Sequence, residues 1–131
     1  MSIKRHEPGK LLSAAVEHNG LVYLAGQVPD DLSQDVKGQT EQVLKKIDAL
    51  LAAAGSSKSN ILSANIWLAD IRERDAMNTA WLAWMDPKNP PARATVEAKL
   101  AAPQYKVEIA VVASSPTPTG NSGVASSGSG G

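Results

Sequence analysis

Pro90-Pro91-Ala92-Arg93-Ala94-Thr95-Val96-Glu97-Ala98, answered by Lys106-Val107-Glu108-Ile109-Ala110-Val111-Val112-Ala113, is the stretch whose reading decides the fold. Both segments mix β-branched with small residues and read as strands, and the double proline launches the first. The second is apolar at nearly every position, the pattern of a strand buried on both faces. Each carries a charge that this environment does not welcome. Arg93 opens the first strand, and Glu108 sits inside a run of Val, Ile and Ala. A carboxylate placed there is costly unless it is paired, hydrogen-bonded or used. With a period of two, Arg93 shares a strand face with Thr95 and Glu97. Its planar fork suits a carboxylate or phosphate, and Glu108 suits the holding or activation of water. A structural ion pair of Arg93 with Glu97 or Glu108 accounts for the same residues, so neither charge alone defines a reaction.

Working outward, Asn19-Gly20 separates Ser13–His18 from the apolar run Leu21–Gly26, a strong hairpin signal because both turn residues tolerate positive φ. Ile3–His6 reads as a short edge strand. Val36, Val43, Leu44, Ile47, Leu50 and Leu51 recur at helical spacing. Asp35 as N-cap and Gly55 as C′ residue bound that helix at about Val36–Ala54. Ile61–Leu68 reads as a strand. Asp70 followed by Glu73 resembles a capping box, opening a second helix at about Arg72–Met85. Its Met77, Ala80, Trp81 and Trp84 fall on one face and read as packing residues, and Tyr105 packs at the start of the last strand.

The expected fold class is therefore α+β: a mixed sheet of about six strands with two helices packed on one face. Two helices cover only one side of a sheet, while Leu21–Gly26 and Val107–Ala113 are apolar on both. The uncovered face calls for self-association into a closed ring or a dimer. Residues 1–113 form the single expected domain. Residues 114–131, rich in Ser, Gly, Pro and Thr and without charge, read as a disordered tail.

Composition narrows the chemistry. Lys plus Arg equal Asp plus Glu at 13 each, leaving no electrostatic footprint for nucleic acid. The absence of cysteine removes disulfides, thiolate zinc sites and cysteine nucleophiles, and the two histidines, His6 and His18, lie in separate segments. No metal site suggests itself. No apolar run approaches the roughly 18 residues of a membrane span, and no signal peptide opens the chain, so the expected address is the cytoplasm.

Val22-Tyr23-Leu24-Ala25-Gly26-Gln27-Val28-Pro29, Gln39-Thr40, Ala76-Met77-Asn78, the Pro91-Ala92-Arg93-Ala94-Thr95-Val96-Glu97 strand and Val107-Glu108-Ile109 together resemble the Rid family, the reactive intermediate deaminases of YjgF type. The resemblance runs over residues 3 to 113. Its most specific part is the Pro-Ala-Arg strand with Glu108 fifteen residues beyond Arg93. It implies a chorismate-mutase-like domain, a homotrimer with clefts between subunits, and hydrolysis of reactive enamines and imines to 2-oxo acids and ammonia, without cofactor or metal. By resemblance, Arg93 binds the substrate carboxylate and Glu108 positions the attacking water. Gly26 and Thr95 supply backbone hydrogen bonds, and Asn78 lies near the cleft. Two positions depart from the family pattern: Leu12 stands where a cleft tyrosine is common, and Ala25 where serine is common. Both make the expected pocket more apolar, as in a divergent subgroup. A non-catalytic member that binds small carboxylates or acts as an interaction protein is the alternative reading.

Overall fold

The computed structural model describes residues 2–115. The chain runs β1 (Lys4–His6), β2 (Ala15–His18), β3 (Leu21–Leu24), α1 (Val36–Ala53), β4 (Ile61–Leu68), α2 (Arg74–Trp84), β5 (Ala92–Glu97) and β6 (Val107–Ser114). The six strands form one sheet in the order β1-β2-β3-β6-β4-β5. Only β4 and β5 pair in parallel; the other neighbours are antiparallel. The expected α+β class holds, and the last strand in sequence lies near the sheet's centre. Of the expected tail, residues 114–131, the part from 116 on lies outside the described residues. β6 runs to Ser114, and Ser115 donates its N–H to Gly20 O at 2.8 Å and its hydroxyl to Ala54 O at 3.2 Å.

Local chemistry places these elements. Asn19 and Gly20 have φ of 52° and 76°, the left-handed pair that turns β2 into β3. The Asp35 carboxylate accepts from Gly38 N–H at 2.8 Å and caps α1. At the far end, Gly55 takes φ 74°, and the Ser56 and Gly55 N–H groups return to Leu51 O and Ala52 O. That double closure satisfies carbonyls the helix leaves open. The second helix starts later than the sequence suggests. Asp70 accepts from Arg72 N–H rather than forming a reciprocal box with Glu73, and a 3-10 turn, Ile71–Glu73, precedes α2. The Asp70 side chain is also occupied by the Arg72 guanidinium at 2.8 Å, which biases it toward the short turn.

The core lies between the helices and one face of the sheet. On β6, Val107, Ile109, Val111 and Ala113 are buried, alternating with half-buried Glu108, Ala110, Val112 and Ser114. Ala64, Ile66 and Leu68 continue the buried face on β4. Val43, Leu44, Ile47 and Leu51 of α1, with Met77 and Trp81 of α2, close over it. Each buried Val, Leu, Ile or Met side chain among them contributes roughly 1.5–3 kcal/mol. The opposite face has no helix. Tyr23 is 44% exposed there and Val96 49%, and half-buried Trp67 stands between Glu108 and Val96.

One buried polar residue ties the layers together. Gln39 of α1, fully buried, donates to the carbonyls of Gln34 (3.2 Å) and Gln104 (3.1 Å), and its Oε1 accepts from Lys106 N–H at 2.8 Å. The clasp fixes the loop that delivers the chain into β6, two residues before Glu108. A buried amide with each bond matched in this way holds geometry, because any loosening leaves polar groups unpaired.

Candidate functional site

Strand register decides where Arg93 and Glu108 stand. Directly paired residues on neighbouring strands share a face. Ala64 pairs with Arg93 on one side and with Val111 on the other. Ala64 and Val111 are 1% and 2% exposed, under the helices, so Arg93 belongs to the helix-bearing face. Glu108 pairs with Trp67 and so belongs to the open face. The two charges that define the sequence reading are on opposite sides of one sheet. The side chains of Arg93 and Glu108 make no hydrogen bond or ion pair with each other or with any described residue. Nor does Glu97 serve as the arginine's counter-ion: its Oε1 accepts from Ile71 N–H at 3.0 Å. The structural ion pair considered from the sequence is absent among the described residues.

The Arg93 side is built by β5 and α2. β5 is an edge strand, paired on β4 only, and its residues are mostly exposed. Arg93 stands with its guanidinium carbon 5.3 Å from the centroid of the Trp81 ring. Trp81 is only 4% exposed, so it both fills the core and presents a π face to the cation. Burial, and then the nearby positive charge of Arg74, pull the Arg93 pKa below the ordinary arginine value. Two further polar atoms lie in the same neighbourhood. Asn78 is one turn before Trp81 on α2, and Thr95 is two residues beyond Arg93 on its own strand face. Asn78 Oδ1 and Thr95 Oγ1 are buried without a hydrogen-bond partner. Unpaired buried polar atoms are uncommon and each costs about 1–3 kcal/mol. Here a cation without counter-ion and two unspent hydrogen-bonding groups occur together.

The Glu108 side is built by β6 and the end of β3. The backbone bridge between Gln27 and Ile109, with N–H···O distances of 2.8 and 3.1 Å in the two directions, holds the chain after β3 against β6. It brings Gly26 under the Glu108 carboxylate. A Cβ built on Gly26 would fall on Oε2 and lie 2.9 Å from Cδ. A side chain at position 26 would therefore push the Glu108 carboxylate from its place. Ala25 is half-buried beside it, its N–H bonded to Ala14 O at 2.9 Å and its carbonyl to the Gln27 side chain at 3.0 Å. Leu12 lies in the loop before β2 and is 61% exposed. It is held only through its carbonyl, which accepts from Gly9 N–H at 2.8 Å.

A single chain thus sorts the seven sequence candidates into two groups, Arg93, Thr95 and Asn78 on one face and Glu108, Gly26 and Ala25 on the other, with Leu12 apart. Sequence reading placed Trp81 in the core but missed its second role beneath Arg93. It also missed Arg74, whose signal was its position one helical turn before Asn78. Among the described residues no group of three or more His, Cys, Asp and Glu could hold a metal, and no helix is long and apolar enough to cross a membrane.

Comparison with known proteins agrees with the fold. The family model for Endoribonuclease L-PSP matches residues 3–115. A RutC family protein of Haemophilus influenzae is 52% identical over 114 residues, spanning 86% of this chain and 98% of the relative. The RutC family protein YoaB of Escherichia coli is 46% identical over 113 residues, spanning 86% and 98%. Among solved structures, a YjgF family member from Neisseria meningitidis superposes with a TM-score of 0.85 at 41% identity, covering 87% of this chain and 95% of that one. The two helices, the six-stranded mixed sheet and its order are thus those of a known group, and the chain belongs to the Endoribonuclease L-PSP family, the YjgF/RutC proteins.

Proposed function

We propose that this protein hydrolyses reactive 2-enamine and 2-imine intermediates, of the 2-aminoacrylate and 2-imino acid type, to 2-oxo acids and ammonia. The observation that carries the reading is Arg93: a guanidinium seated on Trp81, without a carboxylate partner, beside the unspent Asn78 Oδ1 and Thr95 Oγ1. Such a site suits a small planar carboxylate bearing a further hydrogen-bonding group at its α carbon. In the reaction the enamine tautomerises to the imine, and water oxygen bonds to the imine carbon. Both protons of the water pass to nitrogen, the first by way of Glu108, so that the C–N bond breaks with release of ammonia and the 2-oxo acid remains. An imine conjugated to a carboxylate is already electrophilic, so orientation and delivery of water supply much of what is needed. Arg93 clamps the carboxylate, and Glu108 holds the water and takes its proton. No step calls for a cofactor or metal, and we place the reaction in the cytoplasm.

Because Arg93 and Glu108 face opposite sides of one sheet, a complete site takes Arg93 from one copy and Glu108 from a neighbour. A homotrimer with clefts between subunits does this three times, and seats the open face carrying Tyr23, Trp67 and Val96 against other copies. The balanced charge gives no support to a nucleic-acid partner.

The test is release of 2-oxo acid from imines generated in situ by an amino acid oxidase. The wild-type chain should accelerate it, and Arg93→Ala should lower kcat/KM by roughly 10²-fold or more while leaving the fold intact. A wild-type chain that does not accelerate release, yet binds pyruvate through Arg93, would instead be the carboxylate-binding protein of the alternative reading.

A further inference from the structure

We propose that the Arg93 site is built for a dianionic substrate, a 2-imino dicarboxylate, with Arg74 taking the second carboxylate. The inference rests on the imine-hydrolysis reading for the reaction, though not for the binding. Arg74, Asn78 and Trp81 follow one another at four and then three residues along α2 and therefore line one stripe of that helix. Arg93 lies over the last member of the stripe, 5.3 Å from the Trp81 ring centroid. Asn78 in the middle holds a buried, unpartnered oxygen. Arg74 at the top is exposed and forms no ion pair among the described residues. Its charge is close enough to disfavour the charge on Arg93.

Arg74 on the stripe and Arg93 over it repel, and a carboxylate between them would relieve the repulsion. Glu73 and Asp75, which flank Arg74 in the chain, form no ion pair with either arginine among the described residues, and two further acids are engaged elsewhere. Glu97 accepts from Ile71 N–H at 3.0 Å, and Asp70 is held by Arg72 N–H at 3.0 Å and by the Arg72 guanidinium at 2.8 Å. A monocarboxylate would neutralise one of the two arginines and leave the other facing the bound ligand. A ligand with carboxylates at both ends of a two- or three-carbon chain neutralises both, and its imine nitrogen falls beside Asn78. Thus Arg93 holds the carboxylate next to the reacting carbon, and Arg74 selects the substituent.

Two measurements test this. In the first, kcat/KM is compared for 2-iminoglutarate and 2-iminopropionate, generated from glutamate and alanine by amino acid oxidases. Wild type should favour the dicarboxylate. Arg74→Leu should lower kcat/KM for the dicarboxylate about tenfold more than for the monocarboxylate, and Arg74→Lys should restore part of the preference. In the second, tryptophan fluorescence follows binding of 2-oxoglutarate, pyruvate and inorganic phosphate, which requires no catalysis. 2-Oxoglutarate should bind about tenfold tighter than pyruvate, and Arg74→Leu should erase the difference. Hydrolysis of both imines with no preference, unchanged by Arg74→Leu, overturns this proposal and leaves the deaminase reading standing. Selective 2-oxoglutarate binding without hydrolysis of either imine overturns the deaminase reading and supports this one. Phosphate binding as tightly as 2-oxoglutarate, with equal loss in Arg74→Leu, marks a general anion site and overturns the dicarboxylate assignment.

Discussion

The two faces of the sheet carry the two halves of the candidate site, and they are built differently. Glu108 stands on β6, a strand bonded on both sides by β3 and β4 and clasped at its entrance by Gln39. Arg93 stands on β5, an edge strand bonded on one side only. The carboxylate lies over Gly26, in space that a side chain at that position would take. The guanidinium rests on an indole, a contact that allows sliding across a π face. The difference matches the tasks we assign. A group that aims water at a carbon atom must be fixed to within a fraction of an ångström. A clamp for a carboxylate can adjust, provided its cation remains uncompensated by the protein itself.

The comparison can be broken most directly by separating the halves. If Arg93 of one copy works with Glu108 of another, Arg93→Ala and Glu108→Gln chains are each nearly inactive alone. Unfolded together and refolded as mixed trimers, they should recover about a quarter of wild-type activity, the share of clefts that draw an intact residue from each neighbour. A mixture no more active than its components would show that both residues must come from one chain, against the sheet register.

A smaller effect is expected at the fixed half. Gly26→Ala should displace the Glu108 carboxylate, the mobile end of its side chain, and lower kcat roughly tenfold with KM for the substrate carboxylate little changed. An unaltered kcat would mean that the carboxylate's place over Gly26 has no bearing on the water.

The smallest effect concerns the clamp. Thr95→Val replaces an unpartnered buried hydroxyl with a methyl of the same shape. Equilibrium unfolding should show stability unchanged or raised by up to about 1 kcal/mol. Over the same substitution kcat/KM should fall several-fold. Marked destabilisation would reveal that the hydroxyl is paired in the assembled protein and not reserved for a ligand.

Much of this was legible along the chain, and the reasons are local. The Asn19-Gly20 turn, the Asp35 cap and the Gly55 stop are set by residues within a few positions of each other, and each is found where its chemistry points. Ile61–Leu68 carries apolar residues at six of its eight positions, and its limits could be read without the fold. The start of α2 was misplaced because Asp70 and Glu73 fit a reciprocal cap on paper, while Arg72 takes the Asp70 carboxylate in space. The candidate site was legible as residue types but not as an arrangement. An ion pair of Arg93 with Glu97 or Glu108 stayed open beside a role in binding, since neither charge reports which face of the sheet it occupies. Arg74 was invisible because an exposed arginine at a helix start is ordinary until a second cation is found facing it.

The sequence by itself determined the elements, their order, the family and the two charges that do not belong on apolar strands. These follow from backbone preferences, periodicity and residue chemistry, which act over a few positions. Only the tertiary structure decided that Arg93 and Glu108 stand on opposite faces, that Trp81 lies under the cation, and that the Glu108 carboxylate lies over Gly26. Those facts depend on strand register. Register is fixed by which side chains the helices bury together, a property of the whole packed chain.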